Sequence, residues 1–419
     1  MDVRDLDLSG VVRPGDAIVV GQGCAEPQTL VEALLAQRRA LSGCRVFLGI
    51  NYSGLIRPEH ADHLKLSAYC GAGHNRALAA AGVLDIHPHP YSRLGALIRE
   101  RRLPCDVVFV QLSPPNARGE HSLGLAAEYL VPALETARAV VAEVNDEVPW
   151  THGVRTLRES DLALAVRTSR PPAQALAGAP GEVERRIAAH AAQFIPDGAT
   201  LELGLGALPD AVLEALGDRK DLGVHSGAVG DGVAELMRRG AVTNARKPID
   251  TGRTVAGILL GTRRLFEFAR DNPALWLASS EYTHDPRVLA RFERFVAVNS
   301  AVEVDLTGQV NAEVAAGSYV GAAGGALDFV RAANQSPGGV SLVVLPSSVG
   351  VRASRIVARL SGPVATPRSE AGVFVTEWGA ADLRGLTLRE RASRMIGIAH
   401  PAFRETLERE ARELGMLGR

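Results

Sequence analysis

The chain has 419 residues, 46% hydrophobic and 22% charged, which sets aside intrinsic disorder and leaves room for two or three domains. Lys and Arg number 46 against 47 Asp and Glu, a formal charge of −1, and that balance excludes a protein that grips nucleic acid through a general basic surface. No run reaches the ~18 apolar residues of a membrane helix, and the start, Met1-Asp-Val-Arg-Asp-Leu-Asp7, is too acidic for a secretion signal.

The first predicted unit runs from Arg13-Pro-Gly-Asp through a short apolar strand to Gly21-Gln-Gly23 and a helix entered at Pro27. Apolar, β-branched runs predict buried strands over Cys44–Ile50, Asp106–Leu112 and Ala139–Val144, with a helix over Ala126–Thr136. The Pro-, Ala- and Gly-rich stretch Ser169–Gly181 reads as a linker and predicts domains over 1–180 and 181–419. After it, Ile195-Pro-Asp-Gly leads again into an apolar strand, Gly204-Leu-Gly206 and a helix entered at Pro209. This internal repeat predicts two similar α/β units.

The second unit continues with predicted strands at Thr254–Leu260, Ala274–Leu277, Phe295–Asn299, Val340–Leu345 and Gly372–Val375. Helices are predicted over Gly232–Arg239, Thr262–Ala269, Ala326–Ala333 and Leu388–Ile396, and the Arg- and Glu-rich tail 384–419 reads as a solvated helix face. Alternating strands and helices predict parallel sheets covered by helices, with ligands beyond the carboxyl ends of the strands. Both Gly-x-Gly loops are therefore candidate ligand contacts. Neither completes a dinucleotide fingerprint, because Glu26 and Pro209 stand at its last position. A tight turn packing a helix on a strand is the plainer account of each.

From Leu201 onward, Asn299-Ser-Ala-Val-Glu-Val-Asp305, Gly321-Ala-Ala-Gly-Gly325, Ser354-Arg-Ile-Val357, Val375-Thr-Glu-Trp-Gly379 and Ile398-Ala-His-Pro401 follow in one order. With Gln111-Leu-Ser-Pro-Pro115, Ser122-Leu-Gly124 and Glu143-Val-Asn145, the pattern resembles the acetyl-CoA hydrolase/transferase family, the branch of class I CoA-transferases that includes 4-hydroxybutyrate CoA-transferase. The resemblance spans nearly the whole chain. It implies two related open α/β domains of the CoA-transferase type with the active site in the interdomain cleft. It also implies a homodimer or larger homo-oligomer acting on an acyl-CoA or carboxylate with no tightly bound cofactor, while cysteine usage points to the cytoplasm. Family chemistry is ping-pong: a glutamate attacks the thioester, and an enzyme–CoA thioester forms and is collected by an acceptor acid.

The glutamate expected after the second Gly-x-Gly helix is missing, since the segment reads Leu222-Gly-Val-His225-Ser226-Gly227. Gly227 stands at the nucleophile's position and has no side chain to form an anhydride. Two more departures follow from the resemblance: Ala326 in place of a glutamine after Gly324-Gly325, and Val340 where a phosphate-binding lysine often stands. The remaining catalytic candidates are Glu202, as a base toward water or as a carboxylate paired with an arginine, and His225, as a base, a carbonyl donor or an orienting residue. CoA contacts are expected from Gly204, Gly206, Asn299, Gly321, Gly324 and Gly325, whose glycines permit close backbone approach. Cys24 reads as a thiolate nucleophile or, more plainly, a buried small hydrophobe, and Ser226 lies beside the site. His60-Ala-Asp-His63 and His87-Pro-His89 have ligand-like spacing without a third and fourth ligand, so no metal is expected. The four cysteines (24, 44, 70, 105) form no Cys-x-x-Cys pair, which fits a reducing compartment. These features support thioester hydrolysis or an adapted reaction. The alternatives are CoA transfer through an unidentified carboxylate and a non-catalytic acyl-CoA-binding or assembly subunit.

Overall fold

The computed structural model describes residues 6–418 apart from Ala177, Leu205 and Val351. The first five residues read above for a leader, one linker residue, the middle of the second Gly-x-Gly loop and the last residue of the tail thus lie outside the described residues.

Seven parallel strands form the first sheet: β1 (Ala17–Val20), β2 (Arg45–Phe47), β3 (Lys65–Ala68), β4 (Leu84–Ile86), β5 (Val107–Leu112), β6 (Ala139–Asn145) and β7 (Leu164–Thr168). Their spatial order is β4-β3-β2-β1-β5-β6-β7. The second sheet contains β8 (Thr200–Leu203), β9 (Gly223–Val229), β10 (Thr254–Leu259), β11 (Leu275–Leu277), β12 (Phe295–Ser300), β13 (Val340–Val344) and β14 (Val373–Thr376). These run in the order β11-β10-β9-β8-β12-β13-β14, again all parallel, so the two sheets are wound identically. An antiparallel strand, β15 (Gly379–Asp382), extends one edge, and the two residues His152–Gly153 extend the other. The expected α/β class with parallel sheets holds.

Central strands are mostly apolar and buried because helices cover both faces, with a few buried polar residues such as Gln111, Glu143 and Glu202 among them. Every residue of β1, β5 and β6 is buried. In the first sheet the strands that sequence patterning passes over, β3, β4 and β7, lie toward the edges and carry exposed polar residues such as Lys65, Asp85 and Arg167. In the second, the central β9 is also passed over, its His225-Ser226-Gly227 breaking the apolar run. A single apolar cluster runs from Val19 and Val110 in the first sheet to Leu201 and Val298 in the second, so the two halves share a core.

One expected element needs correction. The helix predicted over 126–136 begins only at Leu130. Its first residues instead pair with β10: Ala127 N–H donates to Gly257 O at 2.9 Å, Leu259 N–H donates to Leu125 O at 2.8 Å, and Ala126 bridges Ile258. The segment is strand-like because it crosses from one half of the molecule onto a strand of the other. Local propensity cannot anticipate such a contact.

Candidate active site between the sheets

In each sheet the winding reverses beside the first strand, between β1 and β5 and between β8 and β12, which is where doubly wound sheets open a crevice. The crevice at β8/β12 holds the candidate site. Register places its floor. Ser226 pairs with Ala256 and Ala228 with Ile258, so Gly227 lies beside Gly257. Glu202 pairs with Ala297 and Leu203 with Val298, so Gly204, whose N–H donates to Val298 O at 2.7 Å, stands beside Asn299. Three neighbouring strands therefore offer glycine at the same level, and the floor is bare backbone.

Above this floor lies a cavity of about 260 Å³, lined by Glu202, Gly204, Gly227 and Asn299 and by Gly321, Gly324 and Gly325 of the glycine-rich loop. Seven of the residues singled out in the sequence thus meet in one place. The loop is clamped onto the first half: Gly71 N–H donates to Gly321 O at 2.8 Å and Tyr91 N–H to Gly324 O at 2.9 Å. Gly324 adopts φ +59°, which favours glycine, and the helix Ala326–Gln335 starts directly after the loop. Ala326 also faces the cavity. Gly206 lines a larger adjoining cavity of about 590 Å³, which shares Leu203, Gly204, Ala228 and Leu260 with the first. The linker contributes Gln174, Ala175, Leu176 and Gly178 to its wall.

Glu202 is buried, and its Oε2 accepts a 2.8 Å hydrogen bond from Asn299 Nδ2. Its partner is this amide and, among the described residues, no arginine pairs with it, contrary to the ion-pair expectation. Burial pushes its carboxyl up to about 8, partly opposed by the Asn299 amide. His225 is fully buried beneath the floor, not among the described residues lining either cavity. Its Nε2 lies 3.2 Å from Thr283 O, and its ring packs on Phe292. Burial and the nearby Lys247 charge push His225 down to about 3, so it is neutral. Ser226 Oγ, 3.3 Å from Leu203 O, ties β9 to β8. Cys24 is buried outside the cavity with its thiol pushed up to about 12, the state of an inert hydrophobe. Val340 opens β13 as a buried strand residue and lines neither cavity.

Two further side chains at the cavity, His284 and Glu128, were not singled out from the sequence. His284 leans over the vacant position: a Cβ at residue 227 would stand 3.1 Å from its Cε1 and 3.2 Å from its Nε2. Its Nδ1 lies 2.8 Å from Thr283 Oγ1, and burial pushes the imidazole down to about 3. Glu128 enters from the first half, its Cβ 3.5 Å from where a Cβ on Gly257 would stand. Its Oε2 accepts from Gln22 Nε2 at 2.6 Å and from the Tyr91 hydroxyl. Burial pushes this carboxyl up to about 8 as well, against those two donors. The cavity thus holds two carboxyls, one from each half, above a glycine floor. Such an arrangement can exchange protons with a bound carbonyl compound at near-neutral pH.

Comparison with known proteins identifies the family. A model of the acetyl-CoA hydrolase/transferase N-terminal domain matches residues 5–162, and one of the C-terminal domain matches residues 261–411. The 4-hydroxybutyrate coenzyme A transferase of Clostridium kluyveri is 37% identical over 398 residues, 94% of this chain and 93% of that protein. The succinyl-CoA:cyclohexane-1-carboxylate CoA transferase of Geobacter metallireducens is 33% identical over 420 residues, 98% of this chain and 95% of that one. The crystal structure of RipA from Yersinia pestis is 32% identical and superposes with a TM-score of 0.94, covering 99% of this chain and 100% of that chain. The two half-matches, the full-length relatives and the shared fold leave one conclusion: this chain is a member of the acetyl-CoA hydrolase/transferase family.

Proposed function

We propose that the 260 Å³ cavity takes the thioester end of an acyl-CoA and that water, not residue 227, attacks the carbonyl carbon. The observation that carries this reading is Glu202, a buried carboxyl held by Asn299 on the same floor as the side-chain-free Gly227. As the water oxygen bonds to carbon, Glu202 takes its proton; the C–S bond then breaks, yielding a carboxylic acid and CoA. The N–H groups of Gly321 and Ala322 already donate to Glu313 O and Ala312 O, so those of Ala323–Gly325 are the ones suited to the oxyanion, where the glycines let a carbonyl approach closely. The cavity is too small for a nucleotide, so the pantetheine arm leads out past Gly204 through the 590 Å³ cavity.

CoA is substrate in this scheme, and the enzyme works as a cytoplasmic homo-oligomer of two related domains, 1–180 and 181–419. A second reading, CoA transfer through another carboxylate, has Glu128 in its favour. Intact-mass spectrometry after incubation with acetyl-CoA and a longer acyl-CoA separates the two: turnover with no CoA adduct is expected. An adduct would overturn hydrolysis, and the peptide carrying it would name the nucleophile. Absence of any turnover would leave a binding subunit.

A further inference from the structure

Glu128 has one oxygen engaged and one not. Oε2 accepts from both Gln22 and Tyr91, whereas Oε1 is buried and has no partner among the described residues. An unpartnered buried carboxyl oxygen is costly unless a ligand completes it. With Oε2 receiving two donors, the proton of the neutral acid resides on Oε1. Glu128 and Glu202 line the same cavity from opposite sides, one docked over Gly257 of β10 and the other rising from β8, with Gly227 of β9 between them.

We propose that Glu128 donates the proton that the departing CoA sulfur takes up, acting across the glycine floor from Glu202. This rests on the hydrolytic reading above and completes it. Water's oxygen bonds to the carbonyl carbon while its proton passes to Glu202. When the oxyanion collapses, the C–S bond breaks and the sulfur lone pair takes the Oε1 proton of Glu128, leaving CoA thiol and a Glu128 carboxylate. The proton on Glu202 returns to Glu128 through solvent, so one water is consumed and both carboxyls are restored.

The titratable groups facing Glu128 are the phenols of Tyr69, Tyr91 and Tyr129 and the Cys70 thiol, all pushed up by burial. Across the cavity stand His284, which burial holds neutral, and Glu202. No lysine or arginine is among the described residues that line the cavity. Glu202 acts ionised and Glu128 protonated, both with values near 8, so activity with acyl-CoA peaks near that value, rising as Glu202 ionises and falling on the alkaline side as Glu128 loses its proton.

The test compares an acyl-CoA with an aryl thioester of the same acid, whose thiol is acidic enough to leave unprotonated. In the unmutated protein the alkaline fall is expected with acyl-CoA and absent with the aryl ester. Glu128→Gln should lower kcat for acyl-CoA about a hundredfold, abolish the alkaline fall and spare the aryl ester. Tyr91→Phe removes a donor that favours the ionised form, so the alkaline fall should move to higher pH. Equal losses on both esters, an alkaline fall unmoved in both variants, or the same fall with the aryl ester would each overturn the role of Glu128 while leaving hydrolysis standing. A CoA adduct on the unmutated protein, or no turnover of any acyl-CoA, would overturn the hydrolytic reading and this role with it.

Discussion

The two Gly-x-Gly loops occupy the same place in identically wound sheets, yet they do different work. After β1, the chain closes on itself in the short helical turn Gly23–Ala25, so a Cβ at Gly21 would meet Ala25 O at 2.6 Å. Gly23, at φ +58°, lies against the other half, where a Cβ would stand 2.5 Å from Leu260 Cδ2. After β8, Gly206 at φ +119° has no heavy atom of the described residues within 4 Å of its missing Cβ, and Gly204 borders both cavities. The first loop docks the halves together; the second opens into the crevice. A glycine loop at a strand end is thus a permission for close approach, and the approaching group can be protein or ligand.

The largest effect expected from this contrast is chemical. Glu202→Gln should lower kcat/KM for an acyl-CoA at least a hundredfold with the fold intact by circular dichroism. The corresponding position two residues before Gly21 is Val19, a core residue with no such role. Undiminished turnover in Glu202→Gln would erase the functional difference between the loops.

A glycine pair tests the same contrast by stability. Gly23→Val adds a β-branched side chain in the left-handed region and overlaps Leu260, which should cost about 3 kcal/mol and lower Tm. Gly204→Val should lower Tm less than Gly23→Val, since its Cβ meets Val298 O at 3.2 Å and Asn299 Oδ1 at 3.3 Å without a left-handed backbone, and should weaken acyl-CoA binding by calorimetry. The reverse pattern would show that the first loop, not the second, meets the ligand.

Next comes the pH dependence of stability. Glu128 and Glu202 titrate near 8 when folded and near 4.5 when unfolded, so the unfolded state holds fewer protons between these values. Stability should therefore decline as pH rises from about 4.5 to about 8, because the folded state keeps protons that the unfolded state has released. Glu202→Gln removes its share, so its Tm should gain on the unmutated protein as pH climbs; parallel Tm curves would contradict the burial of that charge. The smallest effect is expected at Cys24→Ala, which should lose about 1 kcal/mol of packing and retain full turnover.

Much was legible in the amino-acid order because it depends on neighbours along the chain. Period, turn residues and the repeated strand–glycine–helix unit determine that there are two parallel sheets, and the ordered motifs determine the family. The residues Glu202, Asn299 and Gly321–Gly325 were legible too, since they sit at strand ends and in a glycine loop where such folds place ligands. Three things were decided only by tertiary structure. His225 lies below the floor because aromatic packing from Phe292 and Tyr282 covers it, whereas His284, distant in sequence, reaches the space over Gly227. Glu128 looked like the start of a helix until its backbone paired with β10 of the other half and carried its carboxyl into the cavity. The high proton affinity of both carboxyls arises from burial between the halves, and desolvation is a property of the assembled volume, which no local stretch of sequence can encode.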